Sequence, residues 1–360
     1  MLLSLLLAQN AAPAASGCEP QNVSAERVRA AFPDAWRLPR KDRAGNPLSG
    51  ARFEDLLLRL ANEPLAPADA ASGNPALMLG DLLARAAVAA RAGSVEMARA
   101  QIESLLKESR AQVAPAHWPQ VAELLDIRDF VSPKWDPDDD DERDGFLIGD
   151  PWTLPEDCWP AHDGERDVVM GALFMAADLA AIKHCESDFP RYLDYPANRY
   201  ERVAPVSGTY LAHCADENSV ASGLPCALMT SISVDFESDL PFPFSTYALR
   251  LRMLTDLDEV GRPVTWIYSD SADFHWLAGY DLFEPVHDSH GTFVGTLVIR
   301  QFGADLDGIP DRCSHREAGF RTVLGGLRRN SEAQYASCAA RAPFPGRGAV
   351  PAVLVIGAAE

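Results

Sequence analysis

The densest group of side chains with catalytic or metal-binding chemistry lies between residues 270 and 290. Histidine and carboxylate side chains that lie close together can hold a zinc ion or act as a general acid and base. One hypothesis for the function is therefore a metal-dependent or acid/base enzyme that uses this group. Its members are Asp270, Asp273, His275, Asp281, Glu284, His287, Asp288 and His290.

The same residues also fit structural roles. Asp288-Ser289-His290-Gly291 has the composition of a hairpin turn, and this favours a turn over a metal site. His275 lies between Phe274 and Trp276, so it fits either a core histidine or a side chain that points into a cavity. The sequence contains no G-x-S-x-G, no glycine-rich phosphate loop and no H-E-x-x-H, so the common hydrolase and nucleotide-enzyme templates are absent. No cofactor is predicted.

The chain has 360 residues, carries a formal net charge of −20 and is 47% hydrophobic. That hydrophobic fraction is ordinary for globular proteins, and the length suffices for about two domains. A strong negative charge repels phosphate backbones and anionic membrane surfaces, so nucleic acid is not expected as a partner.

The first residues have the features of a signal peptide. Leu2 to Ala8 form an apolar run, and Ala12-Pro13-Ala14 supplies small residues of the kind found at cleavage sites. The run is far shorter than the ~20 residues that cross a bilayer, and no later segment of the sequence qualifies. We therefore predict a signal peptide at residues 1–17 and a periplasmic or secreted protein. Cys18, which follows three small residues, is a candidate for a lipid anchor.

The other six cysteines suit disulfides in an oxidising compartment, because their number is even. None of them forms a C-x-x-C pair, which argues against zinc sites and thioredoxin-like redox chemistry. Cys214 and Cys226 flank a short loop that contains Gly and Pro, and we predict that they pair.

The pairing of the remaining four cysteines depends on the last predicted helix. Cys313 and Cys338 bracket that helix, whose ends would lie roughly 30 Å apart. Bridged Cα atoms lie only about 4.4–6.8 Å apart, so these two are not expected to pair with each other. The predicted bridges join them, in either order, to Cys158 and Cys185.

Residues 20–132 are predicted to form a helical domain, because apolar residues recur at helical spacing, for example through residues 53–60. The following residues, 133–150, are rich in Asp, and blocks of like charge stay extended, so we predict an acidic linker. A calcium loop that starts at Asp136 fits less well, because Leu147 stands where the bidentate Glu belongs. The helical domain is a candidate surface for a protein partner.

The second half of the chain changes its hydrophobic period. From Asp167 to Cys185, apolar residues at helical spacing predict a helix. Beyond it, alternation with a period of two predicts antiparallel strands with one covered face and one wet face. These strands lie around residues 228–236, 247–253, 264–270 and 293–302.

The predicted sheet needs a cover for its apolar face. A final helix over residues 316–336 carries an apolar stripe that includes Leu327, and we expect it to pack there. Arg250 and Arg252 lie on the polar face of their strand, where Asp235 is the expected ion-pair partner of the arginines. The predicted fold class is α+β, in which a helical N-terminal domain precedes a helix-grip-like antiparallel sheet packed on a long C-terminal helix.

Residues 195–338 resemble the START-like superfamily of lipid-binding and hydrophobic-ligand-binding domains. The resemblance rests on Leu240-Pro241-Phe242-Pro243-Phe244 before the Arg250 strand, on Ser269-Asp270-Ser271, and on the turn Asp305-Leu306-Asp307-Gly308-Ile309-Pro310. It implies a START-like domain over residues 151–340, followed by a tail at 341–360.

The second hypothesis for the function follows from this resemblance. A helix-grip domain is expected to hold an apolar small molecule or lipid between the sheet and the C-terminal helix, without catalysis. We expect the ligand to contact the aromatic side chains of the strands together with one histidine. These residues are Trp266, Tyr268, His275, Trp276, Tyr280 and Phe283.

Overall fold

A computed structural model describes 13 stretches of the chain. They are residues 21–62, 146–148, 152–154, 158, 166–187, 200–206, 210–213, 227–237, 246–269, 274–287, 291–306, 325–328 and 331–332. The predicted signal peptide and Cys18 lie outside them, as do most of the acidic linker and the tail at 341–360. Four predicted disulfide cysteines also lie outside, namely Cys214, Cys226, Cys313 and Cys338.

The elements with described bounds are three α-helices, one short 3-10 helix and eleven strands, and residues 325–328 and 331–332 are also helical. The helical ones are α1 (Ala25–Ala30), the 3-10 helix Asp34–Trp36, α2 (Ser49–Asn62) and α3 (Leu179–Ser187). The strands are β1 (Gln21–Asn22), β2 (Phe146–Ile148), β3 (Trp152–Leu154), β4 (Arg166–Met175), β5 (Tyr200–Pro205), β6 (Leu211–His213), β7 (Ala227–Glu237), β8 (Thr246–Leu257), β9 (Pro263–Ser269), β10 (Phe274–His287) and β11 (Phe293–Leu306).

All eleven strands belong to one sheet with the order β1-β6-β7-β8-β9-β10-β11-β4-β2, with β5 beside β7 and β3 beside β4. Strands β7 to β11 follow one another as antiparallel neighbours, and β4 closes the row by pairing with β11. The only parallel pair among the described strands is β1 with β6. The antiparallel sheet predicted from the alternation is therefore confirmed.

The prediction of a helix from Asp167 to Cys185 is wrong in its first half. Residues 166–175 form strand β4, and the helix α3 begins only at Leu179. Every residue from Val168 to Met175 is buried, so both faces of β4 are covered. A strand that is covered on both faces is a continuous apolar run without a period of two, and such a run is easily mistaken for a buried helix.

The sheet has two faces, which we name the N-terminal face and the α3 face after the segments that cover them. Trp266 and Tyr280 lie opposite each other on β9 and β10, and the Tyr280 hydroxyl donates a hydrogen bond to Glu54 of α2. Their side chains therefore define the N-terminal face. Thr265, the residue before Trp266 in β9, points to the other side of the sheet. Its hydroxyl accepts a hydrogen bond from Lys183 and so defines the α3 face.

Residues 21–62 pack on the N-terminal face mainly through aromatic side chains. Phe32 makes an edge-to-face contact with Tyr268 at 5.1 Å between ring centroids, and Trp36 stacks on the same ring at 4.8 Å. Phe32 and Leu57 belong to the same hydrophobic core as the sheet residues. Burial of each such side chain stabilises the fold by roughly 1.5–3 kcal/mol. The predicted boundaries at residues 133 and 150 stay predictions.

The described C-terminal helical residues contact the end of β4. Residues 325–328 and 331–332 are helical, and Leu327 packs against the core. The Glu332 carboxylate accepts a hydrogen bond of 2.7 Å from the backbone N–H of Ala176. The length predicted for this helix lies outside the described residues. None of the described helices is long and apolar enough to span a membrane.

A tight turn connects β8 to β9 through residues 258–262. The Asp258 carboxylate accepts hydrogen bonds from the backbone N–H groups of Val260 and Arg262, at 3.0 and 2.8 Å. Gly261 has a φ of +82°, a conformation that residues with a Cβ rarely adopt. Together these features fix the tight connection that brings β8 and β9 into register.

Gly303 in β11 provides a test of the packing on the N-terminal face of the sheet. A methyl group at this position would lie 2.3 Å from the Trp276 ring and 2.8 Å from the Val168 side chain. We expect Gly303→Ala to lower the free energy of unfolding by about 1–3 kcal/mol, measured by urea denaturation. Trp276→Phe removes the overlapping ring atoms, so the double variant should lose less stability than the two single losses added together. Strictly additive losses would contradict this explanation.

Candidate functional site

The structure separates the aromatic residues that were predicted to share one cavity. Trp266, Tyr268, Trp276 and Tyr280 lie on the N-terminal face, and all four are buried. Phe283 lies on the opposite face, because it is three residues from Tyr280 along a strand whose side chains alternate. The side chain of His275 lies outside the described residues.

The acidic and histidine side chains between residues 270 and 290 do not all lie on one face of the sheet either. Asp281 and Glu284 stand three positions apart in β10 and therefore point to opposite faces. In the described part of the chain, no three His, Cys, Asp or Glu side chains are grouped so that they could hold a metal ion. Asp270, Asp273, Asp288 and His290 lie outside that part.

The predicted disulfides are not tested as pairs. Within the part of the chain that the structure describes, no disulfide joins two cysteines. Cys185 is buried in α3 and Cys158 is half-buried, whereas their predicted partners Cys313 and Cys338 lie outside that part.

A buried polar group lies on the α3 face. Lys183 Nζ donates hydrogen bonds to Glu186 Oε2 at 2.9 Å and to Thr265 Oγ1 at 2.5 Å. The hydroxyls of Thr265 and Thr255 lie 3.0 Å apart. The ammonium group also lies 3.7 Å from the ring centroid of Phe283, a cation–π contact. Four strand and helix residues thus surround one lysine that is almost completely removed from water.

The pKa values of Lys183 and Glu186 both shift in the direction that favours the uncharged form of the group. Burial lowers the pKa of Lys183, and the attraction of Glu186 opposes this change. Burial raises the pKa of Glu186, and the attraction of Lys183 opposes it in turn. Each group therefore depends on the other to remain charged in the interior.

A second ion pair lies two residues from Phe283, on the same face. Arg300 of β11 binds Asp281 of β10 through two hydrogen bonds of 2.5 Å, and the two residues are direct cross-strand partners. Asp281 is fully buried and Arg300 is 6% exposed. The α3 face therefore holds two cations and two anions that are already paired, and we name Lys183, Glu186, Thr255, Thr265, Asp281 and Arg300 the polar cluster.

On the α3 face, a group of apolar side chains from β7 and β8 lies beside the polar cluster, and we name it the apolar wall. Met253 stands two residues before Thr255 in β8, so both side chains share the α3 face. Ile232 and Val234 of the wall are fully buried, while its other members are half-buried. The wall consists of Leu228, Ile232, Val234, Leu249, Leu251 and Met253. This is the apolar side of the alternation predicted for these two strands.

The arginines predicted for the other side of β8 lie on the N-terminal face. The Arg252 guanidinium is 5.6 Å from the ring centroid of Tyr268, and Arg250 is exposed. Asp235 stands opposite Ala248 in register, so it is a diagonal neighbour of Arg250. The ion pair between Asp235 and these arginines stays a prediction.

Sequence reasoning missed Glu54, Lys183 and Glu186. The two α3 residues carried a usable signal, since a Lys and a Glu three positions apart interrupt an Ala-rich helical stretch. Glu54 carried none, because its partner Tyr280 lies 226 residues away in the sequence.

No protein-family model matches the chain, and no curated protein sequence matches it. Solved structures to which it is similar include a STAR-related lipid transfer protein (fragment 25–204) from Xanthomonas axonopodis, at 11% identity and a TM-score of 0.35, covering 52% of this chain and 99% of that one. Human STARD10 is similar at 8% identity and a TM-score of 0.34, covering 55% and 76% of the two chains. Ara h 8.0201 is similar at 12% identity and a TM-score of 0.28, covering 47% of this chain and 97% of that one.

Proposed function

We propose that the protein binds an amphiphilic molecule on the α3 face, without chemical conversion. The observation that carries the proposal is the continuity of the half-buried apolar wall with the buried polar cluster on one face of the sheet. Thr255 joins the two, since it stands opposite Leu228 of the wall and bonds with Thr265 of the cluster. A ligand with an apolar chain and a polar end matches such a surface.

The charges of the polar cluster indicate the kind of polar end. Lys183 is paired with Glu186, and Arg300 is paired with Asp281, so the cluster has no net charge. An anionic end would compete with buried carboxylates for these cations, and desolvation makes that competition costly. An uncharged end with hydroxyl groups can instead exchange hydrogen bonds with the threonines. The favoured ligand class is therefore a neutral lipid-like amphiphile.

Binding of the neutral dye Nile red, with displacement by monoolein, tests this proposal. We expect wild-type protein to bind the dye, and Leu251→Asn and Met253→Gln each to weaken binding about tenfold, because an amide in the wall loses its water without gaining a partner. Arg250→Gln is the matched control, since it changes the opposite face of the same strand. Equal binding by the wall variants and the control would reject the α3 face as the binding surface.

A further inference from the structure

The polar cluster contains a primary amine beside the apolar wall. The chain has four lysines, namely Lys41, Lys107, Lys134 and Lys183. Of the two that the structure describes, Lys41 is exposed and Lys183 is only 8% exposed. An uncharged lysine is a nucleophile toward aldehydes, and lysines that react in this way are held in desolvated surroundings. Lys183 is therefore a candidate for covalent attachment of a ligand.

Two threonine hydroxyls connect the amine to the apolar wall. Met253 of the wall stands two residues before Thr255, a rise of about 7 Å along the strand. The Thr255 hydroxyl lies 3.0 Å from that of Thr265, which lies 2.5 Å from Nζ of Lys183. The side chains of Lys183 and Glu186 keep 9% and 14% of their surface exposed. A chain that lies on the wall can therefore place a terminal carbonyl group at the amine, with a threonine hydroxyl as donor to its oxygen.

Glu186 can take the proton that keeps Lys183 unreactive. The two residues stand three positions apart in α3, and Nζ of the lysine lies 2.9 Å from Oε2 of the glutamate. Burial lowers the pKa of Lys183 and raises the pKa of Glu186, so both shifts reduce the cost of moving a proton from the amine to the carboxylate. The same carboxyl group can later return the proton, as a general acid.

Formation of an imine at this position balances in atoms and in charge. The neutral amine attacks the aldehyde carbon, and a proton moves from nitrogen to oxygen to give a carbinolamine. Glu186 then donates its proton to the hydroxyl group, which leaves as water while the carbon–nitrogen double bond forms. The product is an iminium ion with one positive charge in place of the ammonium, and Glu186 is again a carboxylate.

The surroundings of Lys183 suit an iminium ion as well as an ammonium ion. The Glu186 carboxylate remains its counter-ion, and the Phe283 ring centroid, 3.7 Å from the nitrogen, keeps a cation–π contact. The charge of the polar cluster does not change, so no buried charge is left without a partner. Exclusion of water also protects an imine from hydrolysis. Carboxylic acids and esters do not form imines, so the chemistry selects an aldehyde.

From this arrangement we infer that Lys183 holds a long-chain aliphatic aldehyde as a reversible Schiff base, with its chain on the apolar wall. The inference rests on the proposed function, since it uses the same surface and names one chemical class of neutral amphiphile. Addition of water to the iminium ion releases the aldehyde unchanged. The attachment is therefore a way of holding the ligand and not a conversion of it.

Reductive trapping with decanal and sodium cyanoborohydride tests the inference in the full chain. The reductant converts the imine to a stable secondary amine, and peptide mapping by mass spectrometry locates the decyl group. We expect Lys183 to be modified about tenfold faster than the exposed Lys41 of the same molecules, because the chain is held beside the amine. Propanal has the same reactive group without the long chain, so it should lose most of this preference for Lys183.

Variants connect the attachment to the apolar wall. Leu251→Asn should slow the modification of Lys183 by decanal about tenfold, because an amide in the wall weakens the hold on the chain. Arg250→Gln changes the opposite face of the same strand and should leave the rate unchanged. Lys183→Met should remove the adduct at this position while Nile red still binds. The wild-type comparison of two lysines needs no variant, so it remains valid even if Lys183→Met fails to fold.

Binding of Nile red by the same protein separates this inference from the proposed function. If the dye binds through the wall but Lys183 is modified no faster than Lys41, the inference is overturned and the proposed function stands. The inference is also overturned if propanal modifies Lys183 as selectively as decanal does, or if Leu251→Asn does not slow the decanal reaction. Failure of the proposed function is measured independently, as equal dye binding by the wall variants and the control.

Discussion

Replacing Arg300 with methionine should lower the free energy of unfolding by about 3–5 kcal/mol, because it leaves Asp281 buried without its cation. Asp281 is 0% exposed, and both of its oxygens bind the arginine. Urea denaturation at neutral pH measures the loss. Arg250→Met is the matched control, since it makes the same change at an exposed position of β8 and should alter stability by no more than about 0.5 kcal/mol.

A double replacement distinguishes a lost attraction from an uncompensated charge. Asp281→Leu combined with Arg300→Met removes both charges and leaves apolar side chains of similar size, so most of the stability should return. A double variant as unstable as Arg300→Met alone would contradict this reading. It would mean that the arginine acts mainly through packing.

Arg40→Met, on the N-terminal face of the sheet, should lower the free energy of unfolding by a similar amount. Glu54 is 0% exposed, and its oxygens bind Arg40 and the Tyr280 hydroxyl. Without Arg40 the carboxylate keeps the hydroxyl of Tyr280, but the one cation left near it among the described residues is Arg262, at 3.6 Å, so we expect a loss of about 3–5 kcal/mol. Glu54→Gln in the same chain should recover most of it, because the amide keeps a partner for Tyr280 and carries no charge.

The pH dependence of this variant gives a second measurement. Burial raises the pKa of Glu54 above its ordinary value, while the attraction of Arg40 opposes the shift. Removal of Arg40 should raise that pKa further, so the folded state then binds more protons than the unfolded state. Stability is therefore retained at low pH and lost as the pH rises through the folded pKa. The difference in free energy of unfolding between wild type and Arg40→Met should therefore become smaller as the pH falls. A difference that becomes larger would contradict the role given to the Arg40–Glu54 pair.

The strands of this fold could be predicted where one face is wet and the other is covered. The residues of β7 and β8 alternate strictly, so both strands and their antiparallel pairing followed from the period. Strand β4 could not be recognised in this way, because both of its faces are buried and the alternation is lost.

The alternation of side chains along a strand could also have separated the aromatic residues that were predicted to share one cavity. Trp276 and Tyr280 are four residues apart in β10 and share one face, whereas Phe283 is three residues from Tyr280 and lies on the other, so the three could not share one cavity.

The candidate site was harder to predict than the sheet. Its polar cluster joins α3 to strands about 80 residues further along the chain, as in the bond from Lys183 to Thr265. The sequence shows the polar residues but not which of them meet, because register and helix placement are set by tertiary packing. The N-terminal segment shows the same effect, since its helices were predicted while its position on the sheet was not.

The attachment of residues 21–62 to the sheet sets an order of events during synthesis. Glu54 meets Tyr280 across 226 residues of chain, and Arg29 meets Asp256 across 227. At about 5–20 residues per second, roughly 10–45 s pass between the synthesis of α2 and that of the strand it covers. Phe32 lacks its native ring contact, Tyr268, until β9 has been made. Residues 21–62 are thus made long before some of the strands that they cover, and contacts of such long sequence separation make folding slow.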